Sequence, residues 1–495
     1  MHVQRFHDET IDQYSYLISD GSEAVCVDPN RNVGPYLEYL EDHKLNLRAI
    51  VLTHLPGTFA SGWAELRELS GADVIGASTY QFHGEGRYRQ AGRATMIEFG
   101  DGCHVMTQLT PGYTADSISL VVMDKKGDTQ GIFTGQTLLK EGVGYPLPRP
   151  EDMNPLHGKR TYAKEMYASI HNIIKGFAPR ATVYAGFGED AHFSKMESST
   201  HGQFNLTEAQ AENPAFQHKT ADLFADWLLE DYPFVPAYVK GCRENNSAGY
   251  PVWAVALAPF RELIGDDHRQ ALQLNRPIVN SQGGAVILTP EDAASGKNVA
   301  PASAPVALPL GEETLIIDTR PAVDFRAGHA LNAINIQAEG PFALWLGSIV
   351  RPGEDFYVLV DSEENAYRVA QSIAKIGYDR QVKGVVRWTG GLNERIETPL
   401  DLKDLKEHHT GKYTIVDVRP PAAAVEDTRF YGALNVPVWT LRDRWREIPQ
   451  DRPIVVHCGG GYQSAIGASI LRKQLGDRVA VYDLGKQVEK FKADR

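Results

Sequence analysis

The sequence contains little cysteine. Only four cysteines occur in 495 residues, Cys26, Cys103, Cys242 and Cys458, and none has the paired spacing of a zinc knuckle or a disulfide framework. This usage predicts a reducing compartment. Cys26, Cys103 and Cys242 are interpreted as small buried apolar side chains, whereas Cys458 lies in a run that is typical of thiol chemistry.

Long apolar runs and basic runs are also missing. No stretch approaches the ~18 uninterrupted apolar residues of a membrane span, and the amino terminus has no apolar core of signal-peptide length. The formal net charge of -13 would repel phosphate backbones, and no run rich in lysine and arginine overcomes it locally. We therefore expect a cytoplasmic protein that binds neither nucleic acid nor membranes.

The length of the chain predicts several domains. A chain of 495 residues is too long for one hydrophobic core, and its 42% hydrophobic and 23% charged residues are typical of globular domains. Short β-rich runs alternate with helical patterns from residue 15 to about 190. Strands are predicted at 24–27, 49–52, 118–122, 131–133 and 182–185. An amphipathic helix is predicted at 215–232, and Ala-Pro-rich sequence after residue 249 predicts a linker.

The last 180 residues contain an internal repeat. Three segments of the first copy recur in the second: 315–320 as 414–419, 333–336 as 433–436, and 357–361 as 454–458. Each copy continues into a helical pattern and another strand-like run, so the repeat predicts two small α/β domains in tandem. The third segment ends in Asp361 in the first copy and in Cys458 in the second.

Cys458 follows an apolar strand and precedes a glycine-rich loop. A thiol that carries sulfur must ionise, and successive backbone N–H groups at a helix N-terminus stabilise a thiolate and a persulfide anion. Glycines would let the backbone curl around the sulfur. We therefore predict Cys458 as the catalytic nucleophile. The predicted substrate-binding residues are Gly459, Gly460, Gly461, Tyr462, Gln463 and Ser464. His457 points away from its strand neighbour and is interpreted as a packed residue rather than a base.

The second copy resembles the rhodanese family of sulfurtransferases. It shares the opening Asp417-Val418-Arg419, the segment 432–437 and a six-residue loop from Cys458 to Gln463. The resemblance implies that Cys458 accepts a sulfane sulfur as a persulfide and passes it to a thiophilic acceptor. The first copy carries Asp361 at the nucleophile position and cannot carry sulfur. Many such loops end in arginine, so Gln463 predicts weak use of thiosulfate and disfavours a Cdc25-like phosphatase.

The first 250 residues resemble the metallo-β-lactamase fold, specifically the persulfide dioxygenase branch that is often fused to two rhodanese domains. The metal-ligand motif of that family aligns on residues 53–59, where only His54 remains. Tyr113, Gln136 and Phe187 occupy the later ligand positions. A mononuclear iron site of this kind needs two imidazoles and a carboxylate, so the resemblance predicts a domain without metal that acts as a scaffold.

The combined prediction is an α/β multidomain protein. It places an αββα metallo-β-lactamase-like sandwich at 1–250, a linker at 251–312, and rhodanese-like domains with parallel sheets at 313–400 and 401–495. The predicted function is sulfur transfer from a small-molecule sulfane-sulfur donor to a thiol acceptor, without a cofactor. The resemblance also implies a homodimer. Two alternatives remain open: a non-catalytic sulfane-sulfur carrier or sensor, and an iron-dependent persulfide dioxygenase or other iron- or zinc-dependent hydrolase with a different ligand set.

Overall fold

A computed structural model describes residues 1–77, 88–149, 157–187, 192–195, 202–260, 314–388 and 394–491. Contacts divide the chain into two units, the first being Met1–Trp253 with Ala374–Gly377 and the second Ala254–Ile373 with Tyr378–Arg495. Of the predicted linker, the structure describes only 251–260, and the rest lies outside the described residues. Within the described ranges, no helix is both long and apolar enough to cross a membrane.

The first unit contains two six-stranded sheets. The first sheet has its strands in chain order: β1 (His2–Asp8), β2 (Gln13–Asp20), β3 (Glu23–Val27), β4 (Asn46–Val51), β5 (Asp73–Ala77) and β6 (Tyr88–Ala91). The remaining strands are β7 (Met96–Phe99), β8 (Cys103–Leu109), β9 (Ile118–Met123), β10 (Thr129–Gly135), β11 (Val143–Gly144), β12 (Thr182–Ala185), β13 (Ser194–Lys195) and β14 (Gln203–Asn205). The second sheet has the order β14-β12-β10-β9-β8-β7, and β11 pairs with β13. All five predicted strands are confirmed.

Strand alternation sets the layers of the first unit. In β2, Tyr16 and Ile18 join the core between the two sheets, whereas Leu17 faces the opposite side. Leu17 packs there with Tyr36 and Trp63 of the helices that cover this sheet. The helices of this part are α1 (Gly34–Asp42), α2 (Trp63–Ser70), α3 (His157–Asn172), α4 (Leu206–Glu212), α5 (Ala221–Leu229) and α6 (Tyr238–Ala248), and α7 (Trp253–Leu257) begins at the last residue of this part and continues into the second unit. The unit is a sandwich of two sheets between helices.

The predicted helix at 215–232 is wrong in its first third. Residues Pro214–Phe216 form a separate 3-10 turn, and the α-helix begins only at Ala221. The side chain of Asn213 accepts the N–H of Ala215, and the hydroxyl of Thr220 accepts the N–H of Leu223. Two capping residues therefore start two helical segments where the apolar period suggested one.

The second unit contains two four-stranded parallel sheets with the same topology. The first has the order β17-β15-β18-β19 and the second β22-β21-β23-β24. The strands are β15 (Ile316–Asp318), β16 (His329–Ala330), β17 (Ala333–Asn335), β18 (Phe356–Val360), β19 (Val382–Arg387), β20 (Glu394–Arg395), β21 (Thr414–Asp417), β22 (Leu434–Asn435), β23 (Ile454–His457) and β24 (Val481–Asp483). The helices are α8 (Ala322–Ala327), α9 (Phe342–Ile349), α10 (Glu363–Lys375), α11 (Leu402–Lys412), α12 (Pro421–Glu426), α13 (Leu441–Arg444) and α14 (Tyr462–Leu475). This arrangement confirms the repeat.

The repeated Asp-x-Arg sequence holds the strand ends together. In the second copy, the Arg419 guanidinium makes a bidentate contact with the Asp417 carboxylate at 2.6 and 3.0 Å and donates to the Asp427 carbonyl. Asn435 donates to the carbonyls of Asp417 and Arg419. The first copy repeats the arginine and asparagine contacts at the corresponding residues. The motif is thus structural, and it fixes the sheet edge at which the thiol loop begins.

Candidate functional site

Cys458 lies at the carboxyl end of β23, a strand inside the second parallel sheet. β23 pairs with β21 on one side and with β24 on the other, so its end is held from both sides. The side chain is 2% exposed, while the neighbouring residues Gly459 and Gly460 are exposed. The strand thus delivers the sulfur to the sheet edge where loops of parallel α/β domains form their sites.

Two backbone amides point at the sulfur. The N–H of Gly461 donates to Cys458 Sγ at 3.1 Å, and the N–H of Ser464 donates to it at 3.4 Å. Gly461 is the residue that precedes the 14-residue helix α14. Both amides and the positive end of the helix dipole favour an anion on this sulfur. The arrangement can therefore stabilise a thiolate, or a persulfide at the same position.

Only one of the three loop glycines is required by the geometry. Gly461 has φ of 102°, and a Cβ atom there would lie 3.0 Å from the backbone nitrogen of Lys486. Gly459 and Gly460 have no atom within 4 Å of a Cβ position, and neither has a left-handed backbone. Gly459 and Gly460 face open space, so of the three glycines only Gly461 lies where a side chain would be obstructed.

The side chains of the helix start make contacts away from the sulfur. The Tyr462 hydroxyl donates to the carbonyl of Gln337 at 2.6 Å, and the Ser464 hydroxyl donates to Asp483 Oδ1 at 2.6 Å. Burial raises the pKa of Tyr462 well above its usual value, so the phenol stays protonated. Gln463 is the second residue of α14 and is half-buried. A substrate-binding role for these side chains stays a prediction.

His457 is a packed strand residue. Its imidazole is fully buried, its ring centroid lies 5.1 Å from that of Phe430, and Nε2 lies 3.8 Å from Asp417 Oδ2. Burial lowers the pKa of His457, which keeps the imidazole neutral at pH 7. The geometry agrees with a structural residue rather than a base for Cys458.

The first copy has lost the loop as well as the thiol. Asp361 directly follows β18, but the prediction that it holds the nucleophile position is wrong by one residue. Asp318 pairs with Leu359 as Asp417 pairs with His457, so Val360 has the register position of Cys458. One residue, Ser362, separates Asp361 from helix α10, whereas Gly459, Gly460 and Gly461 separate Cys458 from α14. Ser362 and Asn365 both donate to Asp361 Oδ1. A polar cavity of about 150 Å³, which Asp361, Ser362 and Asn365 help to line, lies here.

The first unit keeps the residues that orient His54. The Asp28 carboxylate accepts the N–H of Thr53 at 2.7 Å and its hydroxyl at 2.6 Å. His54 Nδ1 lies 3.1 Å from the Thr53 hydroxyl. Because that hydroxyl donates its hydrogen to Asp28, Nδ1 carries the imidazole hydrogen and Nε2 keeps a lone pair. Burial, aided by Arg243, lowers the pKa of His54 to about 3.

The other predicted ligand positions surround His54. The Tyr113 ring centroid lies 5.2 Å from that of His54 and 6.0 Å from that of Phe187. The Gln136 amide packs against Gly186, next to Phe187. His54 Nε2 and the Gln136 amide atoms are buried and have no hydrogen-bond partner among the atoms that the structure describes. The four positions that the sequence aligns with metal ligands therefore lie together in the folded domain.

This cluster does not fit iron or zinc. It offers one imidazole, an amide and a phenol, and burial raises the pKa of Tyr113 well above its usual value, so that the phenol keeps its proton. Across the described ranges, His, Cys, Asp and Glu side chains form no group of three that could hold a metal ion. We derive no chemistry through a metal at this position.

Comparison with known proteins agrees with both halves of the fold. The family model for the rhodanese-like domain matches residues 306–395 and 398–489. A metallo-β-lactamase from Staphylococcus aureus subsp. aureus COL has a TM-score of 0.60 at 20% sequence identity, covering 78% of this chain and 98% of that chain. That likeness shows the fold.

Two hydrolases are similar to the first unit. A probable polyketide biosynthesis zinc-dependent hydrolase of Bacillus velezensis is 28% identical over 206 residues, which are 40% of this chain and 83% of that protein. A hydroxyacylglutathione hydrolase of Francisella tularensis is 26% identical over 165 residues, 32% of this chain and 60% of that protein. The chain thus spans less than two thirds of the second relative.

The fold and the matches define a class of protein. The chain is a fusion of a metallo-β-lactamase-fold domain with two rhodanese-like domains. Within that class, it carries one rhodanese-like copy with a thiol loop at Cys458 and one copy without a cysteine. The rhodanese-like domains support an enzyme of the sulfurtransferase type at the level of the family.

Proposed function

We propose that this protein is a sulfurtransferase in which Cys458 carries sulfane sulfur as a persulfide. The observation that carries the proposal is the pair of N–H groups, from Gly461 and Ser464, that donate to Cys458 Sγ at the start of a helix. Such a site stabilises both anions of the reaction cycle without a metal. The family match to rhodanese-like domains supports the same class of chemistry.

Sulfur moves in two displacements. The Cys458 thiolate attacks the outer sulfur of a donor R–S–SH, a new S–S bond forms, and the S–S bond of the donor breaks to release R–S⁻ with the electron pair. An acceptor thiolate R′–S⁻ then attacks the outer sulfur of the Cys458 persulfide and leaves as R′–S–SH. Cys458 returns as a thiolate, so the cycle needs no oxidant or reductant.

Mass spectrometry of the loaded protein tests the proposal. After incubation with a small hydropersulfide and removal of the donor, the peptide that contains Cys458 should gain the mass of one sulfur atom. Addition of a thiol should remove that sulfur and form one equivalent of product persulfide. Sulfur gain spread over Cys26, Cys103 and Cys242, all of which are buried, would contradict the assignment.

A carrier that serves one dedicated protein is the second candidate. The observation that favours it is the 2% exposure of the Cys458 side chain, which limits the access of free acceptors. Turnover numbers separate the two functions. A sulfurtransferase should release many equivalents of product with a small thiol in excess, whereas a carrier should load fully and release about one.

Metal analysis tests the proposed scaffold role of the first unit. Protein purified without a chelator or a histidine tag should contain iron, zinc and manganese far below one equivalent, because the cluster around His54 offers a single imidazole and no carboxylate. Elemental analysis with a metal-replete metallo-β-lactamase-fold hydrolase as the control measures this. Near-stoichiometric metal, together with oxygen consumption on a persulfide substrate, would support the metal-dependent alternative instead.

Gln463 should determine the preference for uncharged donors. Gln463→Arg adds a positive charge to the first turn of α14, near the sulfur, and should raise turnover with thiosulfate relative to a neutral hydropersulfide by about fivefold. The matched control is Gln474→Arg, because Gln474 lies in the last turn of the same helix, roughly 16 Å along its axis. If the ratio of thiosulfate turnover to hydropersulfide turnover is equal in the two variants, the charge at position 463 does not determine the donor preference.

A further inference from the structure

The helix of the thiol loop is bound directly by the copy that has no thiol. At the first position of α14, the Tyr462 hydroxyl donates to the Gln337 carbonyl, and its ring packs over Gly340. In the middle of the helix, the Ser469 hydroxyl accepts the N–H of Asn335 at 3.0 Å. The start of α14 is thus positioned by the first copy as well as by its own sheet.

A third contact between the copies runs through a carboxylate that contacts Ser464. Asp483, at the end of β24, is 2% exposed, and its Oδ1 accepts the Ser464 hydroxyl at 2.6 Å and the Gly485 N–H at 2.9 Å. Its Oδ2 accepts Arg326 of the first copy at 2.9 Å. Ser464 is the residue whose N–H donates to Cys458 Sγ. Arg326, Asp483 and Ser464 therefore form a chain of contacts that ends at the sulfur.

Neither residue of the Arg326–Asp483 ion pair has a charged counterpart in the other copy. In the corresponding helix of the second copy, α12, the position of Arg326 is held by Val425, which is 80% exposed. In the corresponding strand of the first copy, β19, the register position of Asp483 is held by the buried Val385. Each copy supplies one charge, and each has valine where the other copy is charged.

The negative charge on Asp483 opposes the formation of an anion on the sulfur. A buried carboxylate that contacts the sulfur-binding residue Ser464 disfavours a further negative charge on the sulfur, whether thiolate or persulfide, unless a cation compensates it. Arg326 contacts this carboxylate directly, whereas the neighbouring Arg472 donates to Glu397 at 2.7 Å. The Asp483 contact also fixes Ser464, so its loss would both misplace an amide donor and leave a charge uncompensated.

We propose that Arg326 of the thiol-less copy is a positioning residue for the chemistry of Cys458: through Asp483 it aims the Ser464 amide at the sulfur, and it compensates the carboxylate that accepts the Ser464 hydroxyl. The first copy thereby contributes to the site although it carries no nucleophile. The proposal rests on Cys458 being the reactive thiol of the proposed function.

The test compares variants of the full chain by the rate at which iodoacetamide alkylates Cys458, followed by mass spectrometry of its peptide. Arg326→Gln should lower this rate and the kcat of sulfur transfer together, by about threefold to tenfold, with little change in KM for the donor. Arg326→Lys keeps the charge and should restore most of the rate. Arg326→Gln combined with Asp483→Asn should be faster than Arg326→Gln alone, because the uncompensated charge is then gone.

Arg442→Gln is the matched control. Arg442 also makes a bidentate pair between the two copies, with Glu354 at 2.6 and 2.7 Å, but it lies on α13 rather than on this chain of contacts. Its removal should lower thermal stability as Arg326→Gln does and leave the alkylation rate unchanged. Equal alkylation rates in the Arg326 and Arg442 variants, or no gain from Asp483→Asn, would overturn the proposal. If the variants show the predicted alkylation rates but the unchanged protein transfers no sulfur, the proposed function is wrong and the role of Arg326 is still supported.

Discussion

We expect sulfur transfer to fall by at least about a thousandfold with any donor in the Cys458→Ser variant. A serine hydroxyl fits beneath the Gly461 and Ser464 amides, so the loop is kept, but it does not ionise at neutral pH and forms no bond to sulfur that an acceptor thiol can break. The measurement is initial-rate formation of product persulfide with a hydropersulfide donor and a thiol acceptor.

The other cysteines provide the control for this variant. Cys242 lies on α6 and Cys103 on β8, both in the first unit and both buried. Cys242→Ser and Cys103→Ser should keep the transfer rate within about twofold, since neither thiol is part of the loop. Transfer by Cys458→Ser above a tenth of the unchanged rate would place the sulfur carrier elsewhere in the chain.

The Gly461→Ala variant has the second largest effect. The left-handed backbone at this position costs an L-residue roughly 1–2 kcal/mol, and the added Cβ meets the backbone of Gly485 and Lys486. Relief of that clash displaces the Gly461 N–H from the sulfur. Sulfur transfer should therefore fall by about 10- to 100-fold, the value of one charge-assisted hydrogen bond, and the free energy of unfolding should decrease by roughly 1–3 kcal/mol.

Gly459→Ala and Gly460→Ala are controls of the same chemistry in the same loop. Both positions face open space, so the free energy of unfolding should change little, and the transfer rate should fall far less than in Gly461→Ala. Chemical denaturation and initial rates measured on the three alanine variants decide the point. Equal losses at all three positions would show that the loop needs its glycines for general freedom of the backbone rather than for one left-handed residue.

The sequence predicted the structure well where a particular residue type is required for a particular contact. The repeat was visible because an aspartate, an arginine and an asparagine must recur to hold each strand end, and the contacts of Asp417, Arg419 and Asn435 show that job directly. The lost ligand positions were equally visible, because the turns around His54, Tyr113 and Gln136 kept their framing residues. Such features depend on neighbours in sequence or on a fixed family spacing.

The sequence was uninformative where the outcome depends on distant packing. Three consecutive glycines look alike, and only the approach of Gly485 singles out Gly461. The apolar period of 215–232 continues past Thr220, whose hydroxyl starts a new helix instead. Arg326 and Asp483 are 157 residues apart, so no local pattern connects them.

The division of charges between the two copies limits how freely they can be separated. A fragment that began after residue 400 would retain the thiol, but it would expose the face of α14 that Tyr462 and Ser469 use, and it would leave Asp483 without its counter-ion from Arg326. The thiol-less copy is therefore not a passive relic of duplication. The two copies depend on each other structurally. If the first copy were lost, position 483 of the second would have to change, because Asp483 would have no counter-ion.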